Sequence, residues 1–364
     1  GMTKPADVGY QYAIKTNEGS SFTVGGFKSL SPEVLLEGRH IAQKIANEVT
    51  KNDKTDFDKA RSLVRWTFLH IRSQSVGPNT VIQDDSLGIM RRGWGYCDQK
   101  AHVYATLATY VGIPSRQLQL FREGYGSPHT VAESFINGKW VVISTWRGFI
   151  PTDKNNQPVT KEQIAKGDLM RYFEGLYPSD FLNAKPFYAY PYISNTSLAN
   201  RVWSRIYNKF NTNSSNVAEN NSANETVPQN QQIPSNTNFN ASDLNALDKA
   251  RILHLRLNYS EAIASYKKVI HDSSNDLITD QATFWLGVAY YDNNQLAKAF
   301  NTFKSHLSKY PESAFSKSDL RFEAEIFLKQ GDIASARVML NELQTEQARV
   351  TLLLLSENRY FLGD

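Results

Sequence analysis

The single cysteine among 364 residues, Cys97, stands in Gly93-Trp-Gly-Tyr-Cys-Asp-Gln-Lys-Ala101, where a glycine-rich turn runs into a helical pattern. A thiol attacks only as its thiolate, and the free amides and positive dipole end of a helix's first turn favour that anion. Gly93 and Gly95 leave a substrate carbonyl room to approach the backbone. A lone thiol is also commonly a small buried hydrophobe, so the elements around it must decide between the two.

Ser31-Pro32 opens a helix with residue types favoured at the cap and first turn, and Ile41, Ile45 and Val49 mark its buried stripe. Thr55 and Asp58 form a capping box ahead of a second helix carrying Ala60, Val64, Phe68 and Ile71. A third helix begins near Cys97, buries Ala101, Ala105, Ala108 and Val111, and ends at Gly112-Ile-Pro114. Strands are predicted over 116–121, 129–136 and 139–145, the last two joined by the hairpin signal Asn137-Gly138. A two-residue turn there pairs Ile136 with Lys139 and, counting outward, Val131 with Ser144 and His129 with Trp146. His129, Val131, Glu133, Val142, Ser144 and Trp146 then share a face, with Ser144 diagonal to His129.

From about residue 57 to 152 the chain resembles the transglutaminase-like superfamily of papain-like cysteine enzymes. The resemblance rests on Gly95-x-Cys97 opening a helix, Ala101, Gly112-Ile-Pro-Ser-Arg116, His129-x-Val-x-Glu133, the Asn-Gly turn and Trp140-Val-Val-Ile-Ser144. It implies an α+β fold with helices packed on an antiparallel sheet, Cys97 as nucleophile and His129 as its base. It also implies an acid or amide at the position of Ser144, and here the chain departs from the pattern. In such a triad the thiolate attacks an amide or ester carbonyl while the imidazolium protonates the leaving group, and the third member orients the ring and stabilises its charge. Ser144 offers one acceptor and no charge; Asp153 is a substitute if the chain folds back. The Cys97 amide and the Trp94 indole N–H would donate to the oxyanion, hydrophobic packing serving equally well for Trp94. Arg116 is expected to anchor the Gly-Ile-Pro turn, and Glu133 to be a structural partner. No metal-ligand spacing includes Cys97, no phosphate loop is visible, and no cofactor is implied.

Residues 172–210 are aromatic and irregular, suited to a cleft wall or, better, to covering the sheet; Arg201, Arg205 and Lys209 form a basic stripe beside apolar positions. Residues 211–242, rich in Asn, Ser, Gln and Thr, lack either periodicity and read as a flexible linker. Beyond them Ala262, Ala299 and Ala336 stand 37 residues apart, as do Tyr266, Phe303 and Leu340, and Ala250, Gly287 and Ala324. Small residues where helices cross, with a large apolar residue four positions later, are what stacked helical hairpins need. Residues 243–343 resemble tetratricopeptide repeats, with 346–362 as the capping segment.

The division is therefore 1–210, an α+β transglutaminase-like domain; 211–242, a linker; and 243–364, all-α tetratricopeptide-like repeats. The chain is 41% hydrophobic and carries a net charge of +4, too small a surplus to argue for nucleic acid. It has no apolar run of transmembrane length, and one cysteine makes no internal disulfide. If Met2 is the native start the protein is expected in the cytoplasm. Two functions follow: thiol-dependent hydrolysis or transfer of an acyl group on a protein or peptide substrate, or a non-catalytic scaffold of the same fold. In either, the repeats bind a protein partner.

Overall fold

The computed structural model describes residues 12–15, 21–24, 32–73, 86–187 and 241–360. The basic stripe at 201–209, Tyr188, Tyr190, Tyr192 and all but the last two residues of the predicted linker lie outside the described residues.

Strands β1 (Tyr12–Lys15) and β2 (Ser21–Val24) pair antiparallel. Helices α1 (Pro32–Val49) and α2 (Asp56–His70) follow, and the Thr55 hydroxyl accepts the Asp58 amide as the capping box requires. The short strand β3 (Arg72–Ser73) runs parallel to β4 (Trp94–Gly95), with α3 (Ser86–Arg92) between them. That pairing fixes the direction in which the chain enters α4 (Cys97–Tyr110), whose first residue is the cysteine. The main sheet is antiparallel in the order β7-β6-β5-β8. Its strands are β5 (Ser115–Gln119), β6 (Thr130–Ile136), β7 (Lys139–Ile143) and β8 (Lys185–Phe187), with α5 (Lys161–Lys166) and α6 (Pro178–Leu182) ahead of β8.

Asn137 and Gly138 take φ of 52° and 80°, the left-handed pair a tight hairpin turn demands. Ile136 pairs with Lys139 as the count predicts. Alternation then sorts the side chains. Ala132, Ile136, Val141 and Ile143 enter one core with Ala101, Tyr104 and Leu107 of α4 and the stripes of α1 and α2. Leu118, Leu120, Val131 and Val142 enter another with Phe149, Tyr172, Phe173 and Phe181. Within the described residues, Tyr172, Phe173 and Phe181 of the aromatic stretch thus cover the sheet, while Tyr177 is exposed. Burying each such side chain stabilises by about 1.5–3 kcal/mol, so a sheet covered on both faces is well anchored.

Helices Ala241–Leu255, Tyr259–Asp272, Asp276–Asp292, Leu296–Lys309, Ser316–Lys329, Ile333–Leu343 and Glu346–Ser356 form the C-terminal part. Ala262, Ala299 and Ala336 are buried, and Tyr266, Phe303 and Leu340 fill the space they leave, as the repeat predicts. The repeats join the N-terminal core intimately. Leu255 lies in the core of α1 and α4, Phe68 of α2 in the repeat core, and Val350 and Leu354 of the last helix on the outer face of the sheet. Arg251 donates to the carbonyls of Met90 and Arg91 while lying 3.5 Å over the Trp285 ring. His70 and His254 both reach the Asp292 carboxylate, at 2.9 and 2.8 Å. Desolvation pushes that carboxyl up, but the two imidazoles outweigh it and hold it below the ordinary range. Among the described residues no helix is long and apolar enough to cross a membrane.

Arg116 stacks 3.7 Å over Trp140 and pairs with the buried Glu133 at 2.8 Å, because alternation puts it directly across from that residue in β5 and β6.

Candidate functional site: Cys97, His129 and Arg147

Cys97 occupies the helix start the sequence assigns it, where its amide has no acceptor within the helix. The Tyr96 amide before it donates to Gln99 Oε1 at 3.0 Å, holding the first turn. The half-buried thiol, however, has surroundings that disfavour its thiolate. Burial, and then the neighbouring Asp98 carboxyl, push it up to about 12, against hydrogen bonds with Thr130 and the Asp98 backbone. The helix dipole is worth about 0.3–1 kcal/mol, whereas taking an ion out of water costs several kcal/mol. Desolvation therefore wins.

His129 lies one residue ahead of β6, its carbonyl accepting the Leu120 amide at 2.9 Å. Thr130, the first strand residue, is the one that bonds Cys97. Cysteine and histidine thus meet the same point of the sheet, but among the described residues no hydrogen bond joins them. Trp146 presents a T-shaped contact to the His129 ring at 6.0 Å, where the hairpin count places it.

A cation, not an anion, stands beside the imidazole. Arg147 Nη1 lies 3.4 Å from His129 Nε2. A guanidinium only donates, so Nε2 must be the bare acceptor nitrogen. Burial first, and then this cation, hold the imidazole well below its ordinary range. The neutral form is favoured at both members of the pair.

Ser144 does not reach the histidine. The strand β7 ends at Ile143, and Ser144 closes a tight loop instead, with its amide on the Phe149 carbonyl at 3.0 Å and its own carbonyl accepting the Gly148 amide at 2.7 Å. Its hydroxyl is buried without a hydrogen-bond partner. The same loop projects Trp146 and Arg147. Gly148 permits it, since its φ is 76° and a Cβ would lie 2.4 Å from the Phe68 ring. Asp153 does not fold back either: its carboxylate accepts the amides of Asn155 and Gln157 and caps its own turn. Trp94 stacks 4.8 Å beneath the Arg92 guanidinium and edge-on to Tyr96.

Arg147 is 3% exposed and is held from the other end of the chain. Its guanidinium pairs with Glu346, the first residue of helix Glu346–Ser356, lies 5.2 Å over the Phe173 ring, and donates to the Glu174 carbonyl at 3.4 Å. One turn beyond the cysteine, the buried Lys100 donates to Ser73 at 3.0 Å and lies 5.8 Å over the Trp146 ring. Desolvation and then Arg321 depress its ammonium well below the usual lysine range. Sequence reasoning missed Arg147, Thr130 and Glu346. The hairpin count offered a signal for Thr130, next to His129; Glu346 had none. The described residues hold no cluster of His, Cys, Asp and Glu able to bind a metal ion.

With this geometry in hand, the comparisons with known proteins fall into place. Residues 43–145 match the transglutaminase-like superfamily, and residues 281–313 match a tetratricopeptide repeat. The chain thus carries a transglutaminase-like core followed by a tetratricopeptide-type helical region. Among solved structures it is similar to a candidate cysteine protease from Cytophaga hutchinsonii at 17% identity and a TM-score of 0.26, covering 32% of this chain and 43% of that one. It is similar to a TGase at 16% identity and a TM-score of 0.29, covering 39% of each chain. A candidate protease from Parabacteroides distasonis is matched at 13% identity and a TM-score of 0.26, over 36% of this chain and 30% of that one. The chain spans less than half the length of each. No curated protein matches it.

Proposed function

We propose that this chain is a binding scaffold of transglutaminase-like fold, with residues 1–210 and 243–364 as its two parts, 211–242 as a linker, and a cysteine-histidine pair that does not turn over. One observation carries the reading: the Arg147 guanidinium lies 3.4 Å from His129 Nε2, a cation set against the ring that would have to become an imidazolium. Asp98 beside the thiol opposes the thiolate, and the guanidinium beside the imidazole opposes the imidazolium although it also faces the thiol. Helical repeats of this class present extended surfaces to protein partners, which supports protein interaction as the role that remains.

The second reading, a thiol-dependent acyl hydrolase or transferase using Cys97 and His129 with the Cys97 amide and Trp94 at the oxyanion, is supported by the helix-start cysteine and its bond to Thr130 beside the histidine. Alkylation of Cys97 by iodoacetamide across pH 5–10, followed by intact mass, separates the two. The scaffold requires a rate that keeps climbing with pH and is indifferent to His129→Ala. A plateau near neutral pH that disappears in His129→Ala would establish the enzyme.

A further inference from the structure

Resting on the scaffold reading and naming its ligand, we infer that Arg147 is a carboxylate receptor beside Cys97 and His129, filled here by the chain's own Glu346 and open to exchange with an acidic peptide segment of a protein partner. The first support is the present occupant. A carboxylate does bind there, from the last helix, and it binds a guanidinium whose side chain is 3% exposed. A planar fork of N–H donors on an aromatic ring matches a carboxylate better than any other common anion in a peptide. The second support is asymmetry of exposure: the Glu346 side chain is 24% exposed, so water reaches the pair from the glutamate's side.

The third support is a second charge pair on the same helix, one turn further on. Arg349 holds Glu174 at 2.7 Å, with side chains 56% and 64% exposed. The Glu174 carbonyl is also a partner of Arg147, so the two arginines are connected through one residue. Exposed pairs of this kind contribute little net stability, and a peptide bearing two acids can take Arg147 and Arg349 in place of Glu346 and Glu174. Trp146, partly exposed beside the His129 ring, supplies an apolar wall for the residues between. The exchange would release the first turn of helix Glu346–Ser356 from Arg147, so that occupancy of the receptor is felt by the repeats.

The test uses the full chain and a fluorescein-labelled tetraglutamate peptide, with tetraglutamine as the uncharged control, read by anisotropy at low salt. Glu346→Ala removes the internal competitor and is expected to bind tetraglutamate at least tenfold more tightly than the unaltered chain, with tetraglutamine inert. Arg147→Met in the Glu346→Ala background is expected to abolish binding. Propionate, a free copy of the glutamate side chain, should raise the Tm of Glu346→Ala saturably and leave the double variant unmoved. If Glu346→Ala does not fold, the isosteric Glu346→Gln takes its place. Absence of tetraglutamate binding in both Glu346 variants, or binding that survives Arg147→Met, overturns the inference. Cys97 alkylation on the same samples keeps the readings apart, since a thiolate at neutral pH sinks the scaffold reading without touching the peptide result.

Discussion

Replacing Arg147 by methionine tests the electrostatic account of the site directly. Two unit charges 3.4 Å apart, the separation of Arg147 Nη1 from His129 Nε2, repel by about 5 kcal/mol at an effective dielectric of about 20. Glu346 offsets part of this in the native chain, and in Arg147→Met its carboxylate stays behind as an anion on the same side of the ring. Desolvation, the larger cause of the histidine's depression, is untouched by the change. The expectation is that the imidazole becomes easier to protonate, while the Cys97 thiolate loses the attraction of the same guanidinium. Even about a third of the Coulomb figure, roughly 1.6 kcal/mol, is more than a tenfold change, so the His129 ring should take up its proton at least tenfold more readily. Arg147→Lys keeps the charge and should leave the ring as hard to protonate as before. The His129 titration can be followed by its ring-proton NMR signals in both variants, with Tm as the folding check. Breaking a buried pair costs about 3–5 kcal/mol, and the partial exposure of Glu346 puts this one near the lower end. Equal His129 titrations in Arg147→Met, Arg147→Lys and the unaltered chain would refute the reasoning, leaving burial alone in control of the ring.

Gly93→Ala should lower stability by about 2–5 kcal/mol, combining a left-handed φ of 72° with a Cβ placed 2.1 Å from the Trp285 ring. Gly124 has the same φ and open space around it, so Gly124→Ala in parallel urea melts gives the backbone cost alone, and equal losses would mean that Trp285 does not pack on this turn. His306 bonds Asp319 and Asp280 at 2.7 Å each; burial alone would lower it, but those bonds outweigh burial and raise it to about 9. The unfolded chain titrates near 6.5, so this contribution is full below that pH and is lost as pH climbs through about 9. Thermal melts from pH 6 to 10 should show the loss, and His306→Gln should flatten it. Asp292→Asn should cost about 3–5 kcal/mol by leaving two buried imidazoles without their shared carboxylate, seen as a lower urea midpoint.

Much of this architecture was legible in local sequence, because its causes are local. Asn137-Gly138 can make only one kind of turn, so the pairing of Ile136 with Lys139 followed from two residues. The capping pair of Thr55 and Asp58 and the helix that begins at Cys97 rest on neighbours within one turn. The alanine column at 262, 299 and 336 reported the close approach of helices because a larger residue would not fit. What the sequence did not determine was charge in its three-dimensional place. The count assumed that β7 continued through Ser144, but the strand ended one residue earlier, and the loop it formed turned Arg147 toward His129. Glu346 reached that arginine from the far end of the chain, and burial of the thiol overrode the helix dipole that favoured its ionisation. Hydrogen bonds within a turn are fixed by residues next to each other; desolvation and long-range charge pairing depend on which surfaces meet, and only the tertiary structure decides that.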